Sequence, residues 1–278
     1  MAQALFAPLS GLLTGSLTGP LALSQGGIVK EAAQLIVRMT VKPTAARVRV
    51  IDTLMRALLT AGVWPKLDAL YLLAAHHEQA ARLNWVSAAH TMTAVNSPTF
   101  TVDRGFNGNG TTSYMNTTFD PGAAAGAKFV RDSAFLGIWS LTDSSNAIND
   151  IGNWNGAWGA AVQARIAGNR FSVAANSGVL TADTSLTSVG FFAWSRTNAT
   201  TVDKYFNDSL VRRETSASSP VNTLPFYLGA LNQNGAPQQV NTRQYACAVA
   251  GGALTQIEQA VLYTALRSYL SHPTIGAV

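Results

Sequence analysis

The sequence predicts a mainly β protein, one antiparallel sandwich fronted by an N-terminal helix and closed by a short C-terminal helix. Three observations carry this. Between residues 128 and 222, apolar and polar residues alternate in short runs separated by Gly/Asn turns, at the spacing of a sandwich rather than of βαβ units. From Leu224 to Leu270 the chain reads as strand, turn, strand and capped helix. With 47% hydrophobic residues over 278 positions, it can bury one good-sized core, and its single cysteine excludes an internal disulfide framework.

In chain order, residues 1–43 read as an extended N-terminal arm and 44–278 as the folded domain. The arm is rich in Leu and lacks Lys or Arg before Lys30, and Pro8, Gly11, Gly15, Gly19 and Pro20 interrupt any helical run. That pattern is neither a signal peptide nor a charged disordered tail. Docking on a neighbouring subunit is the expected role. Ile28 to Met39 fits a short helix or a strand. Thr44 to Ala61 is the clearest helix of the first half, with Val48, Ile51, Met55, Leu58 and Leu59 on one stripe and Arg47, Asp52 and Arg56 away from it. Leu67 to Ala75 is a continuous apolar run, and Glu78 to Asn84 fits one or two helical turns.

In the middle, Phe135–Leu141, Ala161–Ile166, Arg170–Ala175, Val189–Arg196 and Lys204–Arg212 are candidate strands. Gly168-Asn169 and Asn207-Asp208 supply hairpin turns. Toward the end, Phe226, Leu228 and Ala230 alternate with Tyr227, Gly229 and Leu231, and Asn234-Gly235 turns the chain. Arg243–Val249 is the next strand, broken at Gly251-Gly252. Thr255 with Glu258 forms a capping box, followed by a stripe of Ile257, Val261, Ala265, Leu266 and Tyr269, and His272-Pro273 stops the helix.

Two stretches carry a family resemblance. The run AGGALTQIEQAVLYTAL (250–266) resembles the closing segment of concanavalin A-like (laminin-G-like) jelly rolls, in which the last strand leads through G-x-x-L-(T/S)-x-x-E into a helix under the sandwich. The longer phrase FYLGALNQNGAPQQVNTRQ (226–244) is similar to a version found in bacteriophage virion proteins, especially tail-fibre and other surface proteins. The segment GVWPKLDALYLLAAHHEQAARLNW (62–85), followed by NSPTFTVDRGFNGNGTTSYMNTTFDP (96–121), resembles the start of the same group. Gly105, Gly108, Gly110, Thr112, Tyr114, Met115 and Thr117 carry that match. The resemblance covers roughly residues 44–120 and 224–270. It favours a strand over Leu67–Ala75 and implies a virion structural protein.

Composition narrows function further. Only 12% of residues are charged, against about 25% in an average domain. Gly, Ala, Ser, Thr and Asn take their place, a surface suited to subunit packing or to hydrogen bonding sugars. The net charge of +5 is spread thinly. The basic residues of Arg38–Arg56 lack the density of a nucleic-acid backbone site. No window is long and apolar enough to span a bilayer.

Catalytic chemistry finds no motif. A glycanase needs two carboxylates across one sugar bond, yet the four glutamates, Glu31, Glu78, Glu214 and Glu258, are scattered, and no E-x-D-x-x-E run occurs. Nor is there a G-x-S-x-G elbow. His76-His77 has no zinc spacing, and Asp143, Asp150 and Asp183 form no D-x-D-x-D calcium loop. No catalytic residue, metal site or cofactor is therefore expected. The most suggestive patch is Asn146 to Gly159, where Asn149, Asp150, Asn153, Trp154, Asn155 and Trp158 interleave amides and indoles. Indoles stack on sugar rings while amides read hydroxyls, so the patch is a candidate glycan site; the plainer reading is that Trp154 and Trp158 cap the open end of the sandwich by packing. The expected function is a phage virion structural protein of a tail fibre, tail tip or capsid surface, a homo-oligomer contacting other virion proteins through its arm and host glycan through its loops. A carbohydrate-binding module of a bacterial protein is the second reading, and a glycan depolymerase the third.

Overall fold

The computed structural model describes residues 27–145 and 149–278. The chain opens with helices α1 (Lys30–Arg38) and α2 (Ala45–Thr60). Strand β1 (Leu67–Leu72) and the short helix α3 (Glu78–Arg82) follow. Four short strands come next: β2 (Thr93–Val95), β3 (Thr99–Thr101), β4 (Gly105–Asn107) and β5 (Tyr114–Asn116). The middle supplies β6 (Ala134–Ser140), β7 (Ile151–Trp154), β8 (Gly159–Ile166), β9 (Arg170–Ser177) and β10 (Thr181–Thr184). Strands β11 (Gly190–Arg196), β12 (Thr201–Phe206) and β13 (Ser209–Thr215) continue it. The close is β14 (Tyr227–Leu228), β15 (Leu231–Gln233), β16 (Ala236–Gln238), β17 (Gln244–Gly251) and α4 (Gln256–Ser271).

These strands form the expected antiparallel sandwich. One sheet runs β13-β12-β11-β6-β17-β4-β3 with β1 also on β17; the other runs β10-β9-β8-β7-β14-β5-β2 with β15 and β16 attached. One pairing departs from the rule, since β15 lies parallel to β7. Alternation along β11 assigns its faces. Phe192 and Trp194 point at the second sheet, Phe192 meeting Phe171 at 5.2 Å and the Trp194 indole N–H donating to the Ala161 carbonyl. Phe191 and Ser195 point the other way, toward α4: Phe191 lies near Tyr263, and the Ser195 hydroxyl donates to the Leu254 carbonyl. Trp139 on β6 stacks on Tyr263 with a 1° interplanar angle. The molecule is thus layered helix, sheet, sheet. Gly137 makes room for this packing, because a Cβ there would stand 2.8 Å from the Phe191 ring.

Several expectations are refined. The expected arm over 1–43 differs over 28–43, where α1 is helical and sets Ala32, Leu35 and Met39 in the same core as α2. Residues 1–26 lie outside the described residues. Lys42 donates to the carbonyls of Ile36, Val37 and Met39 at the end of α1, and Arg38 donates to those of Asn84 and Ser87. These basic residues therefore serve helix ends and loops. Arg47, expected at the surface, is buried because Asp103 meets it at 2.7 Å.

The capping box of α4 is present, and Ala265, Leu266 and Tyr269 of the expected stripe are buried together with Leu262, Tyr263 and Leu270, while Val261 is half-buried and Ile257 is 78% exposed. The run read as one strand over Lys204–Arg212 is a hairpin, β12 and β13, turned at Asn207-Asp208. Asn234-Gly235 turns the small hairpin β15–β16 rather than joining two long strands. Among the described residues, no helix is long and apolar enough to cross a membrane.

Candidate functional site

Strand β7, which polar composition disguised as loop, places the predicted patch. Asn149, Asp150 and Asn153 are buried; Trp154, Asn155 and Trp158 are half-buried. Asn146 to Ile148, the start of the patch, lie outside the described residues.

The three buried members hold the fold together. Asp150 accepts from Arg243 Nη1 at 2.7 and 2.8 Å, from the Tyr245 hydroxyl at 2.7 Å and from the Ala164 backbone N–H at 2.6 Å. Burial opposes the charge of Arg243, but the Asp150 carboxylate more than offsets it and holds the guanidinium above its ordinary value. Burial, reinforced by the same carboxylate, pushes Tyr245 well up, so it stays a protonated donor. Asn149 donates to Gln239, and its carbonyl accepts from Asn241. Asn153 donates to the Leu224 carbonyl and accepts from the Ala160 N–H. None of these side chains is left to meet a ligand.

The other three members sit at the β7–β8 turn. Asn155 folds it, its side-chain oxygen accepting from the Ala157 and Trp158 N–H groups, both at 3.0 Å, an Asx turn. Gly156 takes φ +93° there. Trp154 lies across Gly159, where a Cβ would come within 2.8 Å of the indole and 2.0 Å of the Asn153 carbonyl. The indole is therefore seated on bare backbone. Trp158 is tied from behind, its carbonyl accepting from Asn222 Nδ2 at 3.0 Å, while its own indole N–H is buried without an acceptor.

A second turn abuts this one. Gln233 pairs with Trp154 in register, the Asn234 N–H donates to the Trp154 carbonyl at 2.9 Å, and Gly156 packs toward Asn234 Nδ2. Gln233, Asn234, Gln238 and Gln239 are exposed. Sequence reading missed these amides because Asn234-Gly235 is also a strong hairpin signal. Beside them on the outer face of the sheet, Tyr114 and Tyr227 lie 4.5 Å apart, and burial with its Tyr227 partner pushes Tyr114 up to about 12. The assembled site is a rim of two half-buried tryptophans and exposed amides.

Carboxylates lie elsewhere. Ten of the fourteen stand within 4 Å of a basic side chain. Asp183 and Glu214 come together from β10 and β13, which sequence separation concealed. Both hold the buried ammonium of Lys204, at 2.6 and 3.3 Å, so it occupies the place a sugar oxygen would need. His76 bonds the Val41 carbonyl and His77 caps α3. Among the described residues, no three His, Cys, Asp or Glu side chains are grouped to hold a metal ion.

No family model matches the chain, and no curated protein matches it. Solved structures do. The receptor-binding domain of a botulinum neurotoxin C/D mosaic serotype aligns over 72% of this chain and 51% of its own, with TM-score 0.51 and 8% identity. Domain 4 of AbnA, a GH43 extracellular arabinanase from Geobacillus stearothermophilus solved with arabinotriose, aligns over 70% of this chain and 100% of its own (TM-score 0.46, 14% identity). A Trypanosoma rangeli sialidase mutant displaying trans-sialidase activity aligns over 84% and 40% (TM-score 0.48, 13% identity). At these identities the likeness shows the fold alone. This chain spans about half the length of the neurotoxin structure it matches.

Proposed function

We propose that this protein is a non-enzymatic component of a bacteriophage virion surface, in a tail fibre, tail tip or capsid decoration, and that its two abutting turns recognise neutral glycan on the host. The observation that carries the recognition step is the rim itself. Trp154 and Trp158 stand half-buried on a turn fixed by Asn155, flanked by the exposed amides of Gln233 and Asn234. Such a surface suits a sugar, whose apolar ring face stacks on indole and whose hydroxyls pair with amides. A fixed turn also lowers the ordering cost of binding.

Turnover is not part of this reading. The carboxylates of Asp183 and Glu214 are bridged by Lys204, whereas glycoside hydrolysis needs one acid and one base or nucleophile facing the bond. The neurotoxin domain of similar fold is by its description a receptor-binding domain, in keeping with recognition by this class of sandwich. The virion placement rests on the resemblance of residues 44–120 and 224–270 to phage surface proteins.

The test pairs two measurements on the full chain. On a glycan array the protein should retain neutral saccharides without releasing products, and antibody against it should label intact phage particles. Product release, or purified particles devoid of the protein, would contradict the proposal.

A further inference from the structure

Helices α2 and α4 lie side by side on the outer layer, and an apolar groove of about 760 Å³ runs between them. Val50, Leu54 and Ala57 of α2 face Val261 and Ala265 of α4 across it, with Ile257 78% exposed at one end. A contiguous apolar strip of this kind marks an interaction surface. One segment of the chain has matching chemistry. Residues 1–26 carry seven leucines and Phe6, and no Asp, Glu, Lys or Arg.

The junction also points to the groove. The Gly27 carbonyl accepts from Arg56 Nη2 at 2.6 Å, so the segment joins the domain against α2, one of the two helices that form the groove. Its leucine-dense part, Leu9 to Leu13, is 14 to 18 residues before Gly27. At roughly 3.3–3.6 Å per residue it reaches about 45–65 Å. A domain of this size has a radius of gyration of about 18 Å, hence a width of about 45 Å. Fully extended, that is long enough to span one domain width and arrive at the same groove on an adjacent copy.

We propose that the α2–α4 groove receives the Leu9–Leu13 stretch of a second copy of this chain, joining copies into a homo-oligomer. This inference is independent of glycan recognition. Each copy both gives a segment and offers a groove, so every copy can be joined to another through the same contact.

The test uses the full chain. Sedimentation should show an oligomer that falls to monomer on deleting 1–26 and in Thr53→Glu/Thr264→Glu, two exposed positions lining the groove, with the melting temperature of the domain retained. Mixing Leu9→Cys copies with Thr264→Cys copies should give a disulfide-linked pair on oxidation; Cys247 is fully buried and silent. A monomeric full chain, or an oligomer indifferent to both changes, overturns the proposal. So does a chain bearing both new cysteines that links only within itself, since the segment then occupies its own groove. Should the glutamate variant fail to fold, the cross-link decides alone.

Discussion

Asp150 and Arg243 form a doubly hydrogen-bonded ion pair with neither side chain exposed, bridging 93 residues of sequence. The pair fastens the start of β7 to the segment that leads into β17, and so holds the turn bearing Trp154 against the sandwich. Breaking such a pair leaves an unpaired buried charge and costs about 3–5 kcal/mol, whereas replacing both partners with apolar groups of similar volume is far milder. Urea unfolding should therefore show Asp150→Asn and Arg243→Met each strongly destabilised. The Asp150→Leu/Arg243→Met double variant should be closer to wild type than either.

A pH prediction follows from Glu258. Burial alone pushes its carboxyl up, but the Lys66 ammonium at 2.6 Å and the Thr255 N–H overcome this and hold it below the ordinary 4.5. A group depressed in the folded state contributes stability that is complete above its unfolded value and lost as pH falls through its folded value. Melting temperatures of wild type and Glu258→Gln should differ at neutral pH and converge below about pH 4.5.

Cys247 sits at zero exposure on β17, and burial pushes its thiol far up. The thiolate is the reactive form. Titration with a disulfide reagent should detect no thiol in the native protein and one per chain after denaturation.

Local signals were legible in the sequence and distant partners were not. The Thr255–Glu258 box needs only residues three apart, and both of its hydrogen bonds are present. Strands β6, β9 and β11 declared themselves by alternation. Strand β7 did not, because Asp150 and Asn153 look like loop residues until Arg243 and the Leu224 carbonyl arrive from far along the chain. Arg47 misled in the same way, its partner Asp103 being 56 residues on. In α4, apolar residues lie on more than one face, so periodicity alone carried the stripe through Ile257, whereas packing on the sheet adds Leu262, Tyr263 and Leu270 to the expected Ala265, Leu266 and Tyr269. The candidate site was half legible: its indoles were, but the facing Gln233 and Asn234 join it only through the parallel pairing of β15 with β7.

Gly159 offers a test of how Trp154 is seated. A methyl group at this position would overlap the Asn153 carbonyl and press on the indole. Overpacking of this kind costs about 1–3 kcal/mol. Gly159→Ala should lower the unfolding free energy by that amount and weaken glycan retention, and its Trp fluorescence should shift as the ring is displaced.

The central claim is recognition through the indole rim, and the most direct measurement is calorimetric titration of a retained glycan into wild type and Trp154→Ala/Trp158→Ala. Wild type should bind measurably and the double variant should not bind, with its cooperative unfolding intact. Unchanged affinity in a folded double variant would contradict it and leave these indoles as packing at the end of the sandwich.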